Sequence, residues 1–412
     1  MIEHRDKNAS CAAETKTYAA LFRHFDRLMP TRRFQRAPKR KRTEVRRFPE
    51  KTFCFCPCRG VFVSADIVGT GKLFNFASLT FIYLNPRKTL LMQYTELGAT
   101  GIRVSRICVG CMSYGRPSAD FHLWTLDEDQ TRDMVRHALD LGVNFFDTAN
   151  CYSHGTSEEF LGSALRRLGV RREDVVVASK VYFNEGKLSA EAIRREIDGT
   201  LARLGTDYVD LYQIHRFDYE TPIEETMQTL DELVRAGKVR ALGASAMYGY
   251  QFHNLQLATE RNGWTMLSTL QNHYNLLYRE DERELIPVAR QYGVSLIPYS
   301  PLAGGHLTHR GWESGTKRSD TDTNMRKKYD GMKHDDLPII ERVAEVAERL
   351  GVTMTEVALA WLLKRGVAAP IVGATKVPHF DAAVRAVDLR LSDEDAACLE
   401  ELYKPHRISG AY

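Results

Sequence analysis

Between residues 107 and 372 the chain passes repeatedly from a short β-rich run into an amphipathic stretch, and this alternation narrows the choice of fold more than any other feature. The β-rich runs fall at 107–109, 143–146, 175–178, 208–212, 239–242, 268–270, 294–297 and 370–372. Strands separated by helices pair in parallel, and eight of them can close into a (β/α)8 TIM barrel. A doubly wound sheet also fits the alternation, but no G-x-G-x-x-G opens any of the helices. Residues 94–97 and 102–104, around Gly98 and Gly101, read as a small N-terminal hairpin ahead of the first run.

The helices announce themselves by caps and stripes. Thr125-x-x-Glu128 and Thr353-x-x-Glu356 read as capping boxes. Thr221-Pro222-Ile223-Glu224 combines a cap, a proline at the first helical position and a third box. A helix from Ser157 carries Glu158 and Glu159 in its first turn, where carboxylates suit the helix dipole. Ile193, Ile197, Leu201 and Leu204 line one apolar stripe. A long polar stretch at 304–335 interrupts the pattern, and further helices are expected at 337–350, 353–364, 379–387 and 392–402.

The charge is unevenly distributed. Residues 1–91 hold 19 Lys+Arg against 7 Asp+Glu, leaving 38 against 46 for the remainder, so the net +4 sums a leader of +12 and a body of −8. The leader is proline-interrupted and aperiodic over 1–59, and residues 60–91 show neither a helical nor a strand period, so it reads as a low-order extension. Gly69-Thr70-Gly71-Lys72 lacks the earlier glycine and the following Ser/Thr of a phosphate loop and reads as a turn. Composition and pattern both change at Met92. The expectation is two segments, a basic extension at 1–91 and a barrel at 92–412. An over-extended reading frame that truly starts at Met92 is the simplest account of the first.

The Cys-x-Cys-x-Cys run at 54–58 lacks zinc-ligand spacing, and no metal site is expected. Cys108, Cys111, Cys151 and Cys398 are irregularly spaced in a chain too large to need staples, so free thiols in a reducing cytoplasm are expected. No apolar run is long enough to cross a bilayer, and the basic leader has no recognisable nucleic-acid-binding motif. Neither a membrane nor a nucleic acid is an expected partner.

Four short motifs place chemistry at successive strand ends: Phe146-Asp147-Thr148-Ala149, Cys151-Tyr152, Ala178-Ser179-Lys180 and Gln213-Ile214-His215-Arg216. Taken singly, Asp147 is a turn cap, Tyr152 a surface aromatic, Lys180 a solvated charge and His215 a satisfied core histidine. In a parallel barrel these ends converge on one mouth. In this order and context the four resemble the catalytic tetrad of the aldo-keto reductase superfamily, over roughly residues 92–412. Within it, Trp361, His215-Arg216 and Ser300-Pro301-Leu302-Ala303 resemble the branch of bacterial aldo-keto reductases, aryl-alcohol dehydrogenases and potassium-channel β-subunits. The segment from Met92 most resembles the bacterial members.

The resemblance implies an NADPH-dependent oxidoreductase that reduces small aldehydes or ketones to alcohols. Hydride transfer to the carbonyl carbon needs a proton at oxygen. Tyr152 is the implied acid, with Lys180 to stabilise its phenolate, Asp147 to hold Lys180 charged, and His215 to polarise the carbonyl. Implied cofactor contacts are Gly110, Cys111 and Met112 under the cofactor, Asp147 at the nicotinamide ribose, and Ser245 and Gln271 at the carboxamide. Tyr299 would stack on the nicotinamide, and Ser300, Pro301, Leu302, Ala303 and Gly304 would form the pyrophosphate loop. Gly373, Thr375 and Lys376 would hold the 2′-phosphate. His379 stands where glutamine is usual, and Ala382 and Ala383 replace a Glu and an Asn. A cofactor-binding regulatory module with little turnover is the alternative, and intact His215 favours the enzyme.

Overall fold

The computed structural model describes residues 92–408 apart from 119, 314, 317, 319 and 320, and three strands before them. The chain divides into two units, residues 1–86 and 87–412. In the first unit β1 (Lys51–Cys56), β2 (Val61–Val68) and β3 (Asn75–Tyr83) form an antiparallel sheet in that order. Lys51 lies opposite Asp66, and Val61 opposite Tyr83. No sequence period announces these strands. The expected turn at Gly69-Thr70-Gly71-Lys72 and the last cysteine of the 54–58 run lie outside the described residues.

The second unit opens with the expected hairpin, β4 (Tyr94–Glu96) paired antiparallel to β5 (Arg103–Ser105). Eight parallel strands follow: β6 (Cys108–Gly110), β7 (Phe145–Asp147), β8 (Val176–Val181), β9 (Val209–Ile214), β10 (Val239–Ser245), β11 (Leu267–Gln271), β12 (Ser295–Leu296) and β13 (Ile371–Val372). They are ordered β12-β11-β10-β9-β8-β7-β6-β13. The two ends meet, because the amides of Ala368 and Ile371 donate to the carbonyls of Leu296 and Pro298, each over 2.9 Å. The sheet is a closed (β/α)8 TIM barrel. Closure leaves no edge strand exposed.

The helices are α1 (Glu128–Asp140), α2 (Thr156–Arg167), α3 (Ala190–Leu204), α4 (Ile223–Arg235), α5 (Gly249–Asn262) and α6 (Leu285–Gln291). After them come α7 (Thr323–Tyr329), α8 (Lys333–Leu350), α9 (Met354–Lys364), α10 (Val377–Ala386) and α11 (Asp393–Glu400). The Thr353–Glu356 capping box forms as expected. The other two do not. Asp127 caps α1 by accepting from the Gln130 amide, while Thr125 is buried beside it. Thr221 turns back to donate to Asp218 over 2.7 Å, so α4 has no side-chain cap. In the first turn of α2 stands Glu158, with Glu159, as expected, and Glu158 has a second role. It is buried, with Ser179 donating to one oxygen over 2.5 Å and Arg203 on the other at 2.6 Å, tying α2 to β8 and α3.

Alternation along each strand sends every second side chain into the barrel. Cys108, Phe145, Ala178, Leu211, Ala241 and Ile297 fill the lower interior, where Leu97, Ile102 and Val104 from the hairpin join them. Two residues further along the same strands the inward positions are Asp147, Lys180, Gln213, Gly243 and Tyr299. The barrel is thus apolar at its N-terminal end and polar at its C-terminal mouth. A methyl group on Gly243 would lie 2.2 Å from Thr269 Oγ1, so this layer admits only glycine there.

Candidate active site

The C-terminal ends of β7, β8 and β9 bring the four expected catalytic residues together. Lys180 is completely buried and donates from Nζ to Asp147 Oδ1 over 2.5 Å, to the Thr148 carbonyl over 2.8 Å and to Tyr152 Oη over 3.1 Å. Three acceptors for three protons leave the ammonium saturated. The other Asp147 oxygen accepts from Gln213 Nε2 and Gln271 Nε2, both over 2.9 Å. His215 completes the group, its ring edge-on to Tyr152 at 5.8 Å between centroids.

Electrostatics sorts these groups into roles. Burial pulls the Lys180 pKa down, but Asp147 and Tyr152 together outweigh it and the net shift is upward, so the ammonium stays charged. Burial pushes the Tyr152 hydroxyl up to about 12 against the opposing pull of Lys180. The phenol is therefore protonated at neutral pH, with a cation already placed to stabilise its anion. Burial, and then the charges of Lys180 and Arg216, drive His215 well below the usual histidine range, so its imidazole is neutral. Cys151 Sγ lies 3.9 Å from His215 Nδ1.

Tyr152 is held by strained backbone. The turn Tyr152–Gly155 contains Ser153 at φ 45° and His154 at φ 54°, left-handed conformations that cost about 1 kcal/mol or more each and persist only when the surroundings enforce them. Thr156 Oγ1 donates to the Ser153 carbonyl over 2.7 Å, and Ser157 Oγ to that of Cys111 over 2.7 Å, locking this turn to the loop after β6.

The residues matched to a cofactor line the rest of the mouth. Gly110 ends β6, where a methyl group would stand 2.9 Å from Ile371 Cγ2, and Cys111 and Met112 begin the turn that follows. Ser245 lies opposite Gln271 in the β10–β11 register. Tyr299 stacks on His273 at 5.2 Å. Ser300 (φ 52°), Ala303 (φ 50°), Gly304 (φ 69°) and Gly305 (φ 117°) bend the backbone tightly after β12, and Asn275 holds this loop by donating to the Ser300 carbonyl over 2.9 Å. Thr375 is half-buried just ahead of α10. Lys376 is exposed at the cap of that helix, which has no side-chain cap, and His379 is exposed in its first turn with its amide donating to the Lys376 carbonyl over 3.1 Å. Ala382 and Ala383 point into the protein.

Several residues at this mouth had no role in the sequence reading. Gln213 lies near the end of β9, two residues before His215, so the strand's alternation carried one residue further puts both on the same face. Phe121 sits 6.3 Å from the Tyr152 ring and Phe183 sits 4.9 Å from the His215 ring, forming apolar walls on either side. Lys328 reaches the Tyr299 ring at 4.6 Å from α7, inside the polar stretch where no period pointed to a site. Among the described residues there is no cluster that could hold a metal and no helix long and apolar enough to cross a membrane.

The sequence profile of the Aldo/keto reductase family matches residues 106–404. The chain is 40% identical over 342 residues to versiconal hemiacetal acetate reductase of Aspergillus parasiticus, covering 77% of this chain and 98% of that protein. It is 40% identical over 348 residues to the aldo-keto reductase dtxS3 of Metarhizium robertsii, covering 77% and 93%. A protein of Schizosaccharomyces pombe named "Putative aryl-alcohol dehydrogenase C977.14c" is 40% identical over 346 residues, covering 77% and 97%.

Proposed function

The chain belongs to the aldo/keto reductase family, oxidoreductases of small carbonyl compounds, and from that premise we propose that it reduces aldehydes and ketones to alcohols with NADPH, Tyr152 acting as the acid. The observation that carries the reading is the position of Lys180 Nζ, 2.5 Å from Asp147 and 3.1 Å from Tyr152. A saturated, buried cation beside a phenol stabilises the phenolate that forms as the proton leaves, and the carboxylate keeps that cation charged. Neutral His215 donates to the carbonyl oxygen and orients it toward the Tyr152 hydroxyl. Phe121 and Phe183 would offer apolar surface to a bound carbonyl compound beside Tyr152 and His215.

The residues present fit a dinucleotide. The loop 300–305 bends tightly through four residues of positive φ, Tyr299 stands at its start, and Thr375 and the exposed Lys376 lie at the head of α10, which has no side-chain cap. These last groups would bind a 2′-phosphate, which favours NADPH over NADH. The bound nicotinamide supplies the hydride. Gln271 presents its amide nitrogen to Asp147, since a carboxylate only accepts, so its Oε1 is directed elsewhere and is suited to accept from the carboxamide. Cys108, Cys111, Cys151 and Cys398 are free thiols, which supports a reducing, cytoplasmic setting.

The test is NADPH oxidation, followed by absorbance, on a panel of aromatic and aliphatic aldehydes. Turnover of several members supports the reading. Tight NADPH binding with no turnover on any of them would replace it with a regulatory binding role.

A further inference from the structure

The neutral imidazole of His215 carries one ring proton, and donation to a carbonyl oxygen requires that proton on the nitrogen facing the substrate. The rings of Tyr152 and Phe183 stand edge-on to His215, each at 81°, with centroids 5.8 and 4.9 Å away. They hold the plane of the imidazole, and the His215 amide is tied to the Val181 carbonyl over 3.0 Å. Neither restraint distinguishes one ring nitrogen from the other.

Cys151 does. Its Sγ lies 3.9 Å from Nδ1, and among the described residues no other group hydrogen-bonds to the ring. The thiol is half-buried, and burial pushes it up to about 11, so it keeps its proton at neutral pH. A protonated thiol is a weak donor, and the bare nitrogen of a neutral imidazole is an acceptor. The hydrogen bond made at one ring nitrogen sets which nitrogen carries the proton. The thiol is also well placed to do this. Cys151 directly precedes Tyr152, and its carbonyl accepts from the His154 amide over 3.3 Å in the same strained turn.

We propose that Cys151 is a positioning residue: its thiol donates to His215 Nδ1 and so keeps the ring proton on Nε2, the nitrogen left for the carbonyl oxygen. The assignment rests on the reductase reading for what Nε2 meets. The opposite tautomer would turn Nδ1–H toward sulfur and set a bare Nε2 against the lone pairs of the carbonyl oxygen, which repels the substrate. Two adjacent residues of one turn then serve the same oxygen, Tyr152 as its acid and Cys151 by orienting its second donor.

The experiment reads tautomer and rate separately in the full chain. Long-range proton–nitrogen correlation spectra of protein isotopically labelled in its histidines report which ring nitrogen is protonated, with His215 assigned by its loss in His215→Gln. The native protein should show a protonated Nε2 and a bare Nδ1 at neutral pH. Cys151→Ala should raise the fraction with the proton on Nδ1 and lower kcat/KM for a neutral aldehyde by about two- to tenfold, the scale of one neutral hydrogen bond. Cys151→Ser keeps a donor in the same place and should restore the native tautomer and most of the rate. A native proton on Nδ1 overturns the proposal, and so does an unchanged tautomer in Cys151→Ala. Slow turnover in both variants with the tautomer unmoved also overturns it and leaves Cys151 a packing role only. An absence of aldehyde turnover in the native protein defeats the reductase reading, while the spectra still decide what Cys151 does to His215.

Discussion

Gln271 Nε2 donates to Asp147 Oδ2 over 2.9 Å across 124 residues of sequence. With Gln213 on the same oxygen and Lys180 on the other, the carboxylate is engaged on both sides and cannot swing away from the ammonium. The surroundings of Tyr152, the proposed acid, are therefore anchored by side chains from four barrel strands. That rigidity is what a positioned acid requires.

Tyr152→Phe deletes the proposed acid and leaves the ring packing against Phe121 and His215 in place. Reduction should slow in kcat by about a hundredfold or more, within the usual range for general acid catalysis, while the NADPH dissociation constant stays nearly constant. Near-native kcat would remove Tyr152 from the mechanism.

The pH dependence follows from the directions of the shifts. With a neutral aldehyde and saturating cofactor, reduction needs protonated Tyr152, whose hydroxyl is pushed up to about 12, and neutral His215, which is already deprotonated below the usual histidine range. The kcat/KM for reduction should be flat through neutrality and fall only at strongly alkaline pH. Alcohol oxidation needs the phenolate and should rise with pH over the same interval. A histidine-like step near neutrality in the reduction profile would contradict the assignment.

Lys376→Glu sets a carboxylate at the head of α10. It should weaken NADPH by about 10- to 150-fold, the equivalent of one charge-assisted contact, and weaken NADH much less. Equal weakening of both cofactors, measured by direct binding, would place the 2′-phosphate elsewhere.

Asp281 is half-buried, accepts from Asn272 Nδ2 over 3.0 Å, and is raised to about 7, chiefly by desolvation of its carboxylate. A carboxyl whose folded pKa exceeds its unfolded value stabilises the fold at low pH, and that contribution is lost as pH rises through about 7. That loss begins at the unfolded value of about 3.9, so Asp281→Asn should raise the melting temperature more at pH near 8.5 than at pH near 4. One pKa unit alone is worth about 1.4 kcal/mol, or roughly 2–4 °C for a domain of this class. An equal shift at both pH values would show that charge is not the cause.

The barrel's described elements begin with the 94–105 hairpin, and every strand of the closed sheet lies after residue 107. A chain starting at Met92 is therefore expected to match the full chain in Tm and in kcat/KM. Failure of the shortened chain to fold would show that the leader is part of the enzyme.

By itself the sequence determined the eight strands and their parallel pairing, because these depend on short-range patterning, and its motifs singled out the four candidate catalytic residues. Strand runs alternate with amphipathic helices, and Asp147, Tyr152, Lys180 and His215 stand at strand ends in a fixed order. It was less reliable on the caps. Thr125 and Thr221 fit the cap pattern, but the fold gave them other surroundings, burial for one and Asp218 for the other. Only the tertiary structure decided that Gln213 and Gln271 meet on one oxygen of Asp147, that Glu158 is a buried tie to Arg203, and that Lys328 stands over Tyr299. Periodicity reports which face of an element is inward, and barrel closure sets which inward residues, far apart in the chain, come within hydrogen-bonding distance.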